Sequence, residues 1–120
     1  MKLIVWAAAL AVALAGITVV RAATDDLAGF YGNTLVTVDG GIESHFYYRQ
    51  DHTFTGKVPA FYMVLRGTWK EQPDGTICRV FDPLPPTMKN PDCGPMLVRK
   101  VGDKAKDNTG HREKLVAGIQ

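Results

Sequence analysis

The sequence predicts an all-β fold: a small antiparallel up-and-down barrel, with a two-layer β-sandwich as the alternative, preceded by one short N-terminal helical turn. Three observations predict it. Short runs rich in β-branched and aromatic residues recur along the chain. Turn signals carrying Gly, Asp and Pro separate them about every eight to twelve residues. No long stretch carries a helical period. A domain this small must roll its sheet up to hide its apolar face and its edges.

Residues 1–22 read as an export signal. Lys2 supplies the basic start, residues 3–20 the apolar run, and Ala22 the small residue at the cut. A transmembrane anchor is the rival reading, but Asp25 and Asp26 follow without a basic stop-transfer cluster. Cleavage leaves a single β domain, residues 23–120, that does not span a membrane. The lone Lys2 and the alanine-heavy run point to a bacterial leader, and hence to a periplasmic or secreted protein.

Residues 24–32 hold the helical turn, with Thr24 or Asp25 as its cap and Gly32 as its end. Residues 33–38 form a β-branched strand, and Asp39-Gly40-Gly41 a hairpin turn. Residues 42–49 continue as the second strand, placing Ile42, Ser44, Phe46 and Tyr48 inside and Glu43, His45, Tyr47 and Arg49 outside. Residues 53–56 are a third strand, interrupted by Pro59. Residues 61–69 are the fourth, with Phe61, Met63, Leu65 and Gly67 on one face and Trp69 covering the core at the barrel mouth. After a turn at 72–75, residues 76–81 form the fifth. Residues 96–101 read as the sixth, 102–110 as a polar turn, and 113–119 as the closing strand.

Export makes Cys78 and Cys93 a disulfide pair. Five of the seven prolines lie between Pro83 and Pro95, so the segment it encloses is stiff and extended. That segment is either a rigid crossover or a recognition loop presenting Leu84 and Met88 at reduced ordering cost. Tyr47 and Tyr62, if they share an outer face, add an aromatic patch.

Charge excludes one class of function. The chain has 14 Lys+Arg and 12 Asp+Glu, and removing Lys2 and Arg21 with the leader brings the two counts level. A general nucleic-acid binder needs a cationic surplus. The charge is unevenly spread: Arg99, Lys100, Lys104, Lys106, Arg112 and Lys114 concentrate near the C-terminus. They read as a solvated hairpin edge or as a patch for an anionic envelope surface.

No catalytic constellation is legible. Ser44 and His45 point to opposite faces of a strand, no nucleophile elbow is present, and the aspartates sit where turns need them. His45, His52 and His111 lack the ligand spacing of a metal site. No enzyme, cofactor or metal is expected.

The string Tyr31-Gly32-Asn33-Thr34, residues 51–56, Gly67-Thr68-Trp69, Ile77-Cys78, the proline loop, Cys93 and Lys100-Val101-Gly102 together resemble small exported all-β proteins of unknown function from alphaproteobacteria. The resemblance spans nearly all of residues 23–120. It implies compartment and fold, and no activity. The expected function is a non-enzymatic periplasmic or secreted β-barrel that binds a protein or small ligand through Leu84, Met88, Tyr47 and Tyr62. The alternative is an envelope-associated structural or stress protein acting through surface charge.

Overall fold

The computed structural model describes residues 27–120. The expected export signal and the caps Thr24 and Asp25 lie outside the described residues. Among those described, eight strands form one antiparallel sheet curled into a half-barrel. They are β1 (Thr34–Asp39), β2 (Ile42–Tyr48), β3 (Thr53–Val58), β4 (Met63–Glu71), β5 (Thr76–Phe81), β6 (Asp92–Pro95), β7 (Lys104–Lys106) and β8 (Arg112–Val116). A 3-10 turn, Ala28–Phe30, precedes them.

The spatial order is β6-β5-β4-β3-β2-β1-β8-β7. Every strand except β6 neighbours the one next in sequence, and β8 returns to pair with β1. This is the up-and-down order of a half-barrel with one seam, between the edge strands β6 and β7. Residues 96–103 connect those edges. Expected as a strand at 96–101, they form none and pack over the seam instead. Val98 is 1% exposed, and the Leu97 N–H donates to Glu113 Oε1 at 2.9 Å. Arg99 donates to the Gly75 carbonyl at 3.1 Å and lies 3.8 Å from Glu71.

The turns share a device. Asp51, Asp74 and Asp107 each accept from the backbone N–H and the hydroxyl of the Thr two residues on, at Thr53, Thr76 and Thr109, over 2.6–3.0 Å. A carboxylate that stands in for a backbone acceptor holds each turn locally. These hydrogen bonds hold all three carboxyls below their ordinary pKa.

The inward side chains make an aromatic core. Phe46, Tyr48, Phe54 and Phe81 pack ring to ring, with Phe30 edge-on to Tyr48 and Phe54 edge-on to Phe81 at 5.4 Å. Gly67 leaves room between Phe54 and Phe81, its register partners on either side. Leu35, Leu65, Ile77, Val98 and Leu115 complete the core. The expected inward set of β2 holds at Phe46 and Tyr48. Ile42 is exposed, because the β1–β2 hairpin tip projects past the core beside its register partner, the exposed Asp39.

The disulfide joins Cys78 and Cys93, which face each other directly in the β5–β6 register. The proline loop is therefore a long hairpin connection and not a crossover. Closing a loop of 15 residues contributes about 3 kcal/mol in the chain-entropy view.

The C-terminal tail lies across the outward face of β1 and β2. The Thr34 hydroxyl donates to the Gly118 carbonyl and accepts from the Gln120 N–H, and Asn33 accepts from the Gly118 N–H. Tyr47 donates to the Gln120 carbonyl.

Candidate binding surface

Antiparallel alternation sorts the loops. The β1–β2, β3–β4, β5–β6 and β7–β8 connections leave one end of the half-barrel. The β2–β3, β4–β5 and β6–β7 connections leave the other, with both ends of the described chain.

The second end is closed. Leu27 and Phe30 of the N-terminal turn are buried. Trp69, as the sequence predicts, covers the core there. Its indole N–H donates to the Arg49 carbonyl at 3.0 Å, and the His52 ring stacks on it at 4.2 Å.

The first end carries an apolar rim. Pro59 opens a 3-10 turn, Pro59–Phe61, and Tyr62 follows in the left-handed region at φ 51°. A non-glycine residue held there costs about 1 kcal/mol or more. The turn starts the fourth strand at Met63 instead of 61, and it turns Phe61 outward. Phe61 is 57% exposed, Tyr62 97% and Val64 78%. Ile42 at the β1–β2 hairpin and Leu84 in the proline loop are exposed at the same end.

The proline loop that carries Leu84 is pinned at both backbone and side chain. The Asn90 amide donates to the Phe81 carbonyl and its oxygen accepts the Phe81 N–H, both at 2.8 Å. Met88 is half-buried and packs against the core. Of the four candidate residues, Tyr62, Leu84 and Met88 thus lie at one end, with Met88 as an anchor beneath the loop. Tyr47 lies apart from them, half-buried under the C-terminal tail.

The inward face also holds a charged group that the sequence did not suggest. Arg79 lies over the Phe46 ring at 4.5 Å, donates to the Tyr48 hydroxyl and pairs with Asp92, its partner in the β5–β6 register. Burial works against the Arg79 charge, but Tyr48 and Asp92 outweigh it and raise its pKa. Burial likewise pushes the Tyr48 phenol up, and Arg79 only partly offsets that. Both groups keep their protons at neutral pH and have partners, which is the arrangement of a structural network.

At the start of β8, His111 bridges two carboxylates, Asp39 at 2.6 Å and Glu113 at 2.7 Å. Burial opposes its charged form, yet the hydrogen bonds to Glu113 and Asp39 prevail and raise its pKa. His45 and His52 are not brought together: His45 bonds Glu43 on the outward face while His52 is on Trp69. Among the described residues no group of three His, Cys, Asp or Glu side chains is placed to hold a metal ion.

Compared with protein families, curated proteins and solved structures, the chain matches none.

Proposed function

We propose that this protein is a non-enzymatic, extracytoplasmic binding module that grips a protein partner through the apolar rim of its open end. The observation that carries this reading is the pair Phe61–Tyr62. Two large aromatic side chains stand out at the tip of a strained turn, where solubility alone favours polar residues. Aromatic side chains of this kind supply much of the energy in protein interfaces. Leu84 extends the surface from a loop whose rigidity lowers the ordering cost of binding.

A small ligand fits less well, because the rim projects outward, whereas small molecules need a concave site that buries most of their surface. The Cys78–Cys93 bond supports an oxidising compartment. No helix among the described residues is long and apolar enough to cross a membrane.

The test is affinity capture from periplasmic extract with the wild-type chain, with Phe61→Ser/Tyr62→Ser, and with Lys70→Gln as a surface control. The reading expects a stoichiometric partner held by wild type and control and lost from the rim variant. A partner held equally by all three, or none at all, overturns it. Sedimentation of the isolated chain shows whether that partner is a second copy.

A further inference from the structure

The outward face of β7 and β8 departs from ordinary charge placement. Lys104 lies directly opposite Lys114 in the register, and Lys106 directly opposite Arg112. Like charges paired across strands are destabilising. All four side chains are exposed, and none has a carboxylate within 4 Å among the described residues.

The contrast with the other described arginines is informative. Arg49 donates to Thr55, Arg66 to the Asp82 carbonyl, Arg79 pairs with Asp92, and Arg99 engages Gly75 and Glu71. Arg112 has no such partner among the described residues.

Lysines that guard an exposed strand edge are the ordinary explanation for such a face. That explanation covers Lys104 and Lys106, which sit on the edge strand β7. It does not cover Arg112 and Lys114, because β8 is an inner strand, paired on both sides with β1 and β7. The cations instead line an open groove of about 520 Å³, where Val36 and Val38 of β1 form an apolar floor. Val36 is only 5% exposed although it lies on the outward face. Glu43 and Glu113 also line this groove, but Glu43 is engaged by His45 at 2.7 Å, and Glu113 by His111 at 2.7 Å and the Leu97 N–H at 2.9 Å.

We propose that this groove is a binding site for an anion carrying two or more phosphate groups. Opposed side chains in the register are about 5 Å apart, and alternate residues of a strand about 7 Å apart. Four positive charges thus lie close together on one face. Phosphate monoesters carry close to two charges each near neutral pH, so about two of them balance the four cations. Arg112 adds a planar fork suited to two phosphate oxygens, and the lysines act as point charges around it. This site is separate from the rim, and neither reading depends on the other.

The probe is inorganic tripolyphosphate, titrated into the purified protein at low and at physiological salt. Sedimentation with cardiolipin vesicles, whose headgroup carries two phosphates, against phosphatidylcholine vesicles, separates a lipid headgroup from a soluble source of the same chemistry. Two patch variants are compared, Lys104→Gln/Lys114→Gln and Lys106→Gln/Arg112→Gln, with Lys70→Gln/Lys89→Gln as control. All six positions are exposed, and circular dichroism confirms that each variant folds. Each patch variant is expected to weaken binding at least tenfold while the control leaves it unchanged. Tripolyphosphate binding alone assigns a soluble phosphate ligand, and the same variant dependence on anionic vesicles assigns a lipid headgroup. Absence of binding to either probe, or equal loss in patch and control variants, overturns the proposal.

Discussion

The Glu113 carboxylate accepts the Leu97 backbone N–H at 2.9 Å, so a side chain of β8 holds the segment that spans the seam. Its other oxygen bonds His111, and the residue is almost fully buried. Replacing Glu113 with Ala strips a part-buried donor of its acceptor, which costs about 1 kcal/mol. Urea denaturation of Glu113→Ala should show that loss. Glu113→Gln, which keeps an acceptor for Leu97, should lose less.

His111 makes the fold sensitive to pH. Its folded pKa is raised above the ordinary 6.5, because hydrogen bonds to Glu113 and Asp39 outweigh the cost of burial. A raised folded pKa means that the stabilisation is fully present below about 6.5 and is lost as pH rises through the folded value. The difference in unfolding free energy between wild type and His111→Gln should therefore be largest in mildly acidic buffer and shrink as the solution is made alkaline. A difference that is flat with pH, or grows upward, contradicts this account.

Two glycines in strands should respond in opposite ways. A Cβ built on Gly67 would lie 1.8 Å from the Val80 carbonyl oxygen and against the Phe54 ring. Neither a backbone atom nor a buried ring can move aside cheaply, so Gly67→Ala should lose about 3 kcal/mol or fail to fold. Gly94, on the edge strand β6, has nothing within 4 Å of the same position. Gly94→Ala should stay within about 0.5 kcal/mol of wild type by thermal unfolding.

The opposed cations should weaken the fold that carries them. Removing one charge from a directly opposed like pair relieves about 0.2–1 kcal/mol. Lys104→Gln should raise the midpoint of thermal unfolding at low salt, and added salt should erase the gain. An unchanged or lower midpoint at low salt would mean that the pair does not repel as its register implies.

Much of this fold is legible in the sequence wherever local chemistry decides the outcome. β5 spans the expected residues, and β1 to β4 are found with ends shifted by no more than two residues, because alternation, Asp39-Gly40-Gly41 and the Asp-x-Thr turns act locally. The inward set of β4 from Met63 on, and the disulfide, follow from the same kind of evidence. The edge strands were not legible. β6 reads Asp-Cys-Gly-Pro and β7 Lys-Ala-Lys, and neither has strand composition. Pairing with β5 and β8 alone makes them strands, and Pro95 is tolerated because β6 is an edge. Conversely, residues 96–101 have strand composition and no strand partner.

The candidate surface was legible in part. Tyr62 and Leu84 stand exposed, since a proline-led turn and a proline-rich loop leave them no core to enter. Alternation groups Phe61 with Met63, Leu65 and Gly67, but the Pro59–Phe61 turn breaks that alternation and leaves Phe61 exposed. The Asp39–His111 contact joins residues 72 positions apart, a separation no local pattern reports.

The strands form a circle in space and a line in sequence, and the two are interrupted at different places. The circle is broken between β6 and β7, and there the covalent chain runs across the gap. The line is broken between β8 and β1, and there a ladder of hydrogen bonds runs across the gap. Each kind of linkage covers the other's discontinuity, two strands away. A protease cut within residues 96–103 leaves the β1–β8 ladder intact, and fraying of the chain ends leaves the peptide connection intact. Two unlike fasteners thus hold the sheet's curl, one covalent and one made of hydrogen bonds.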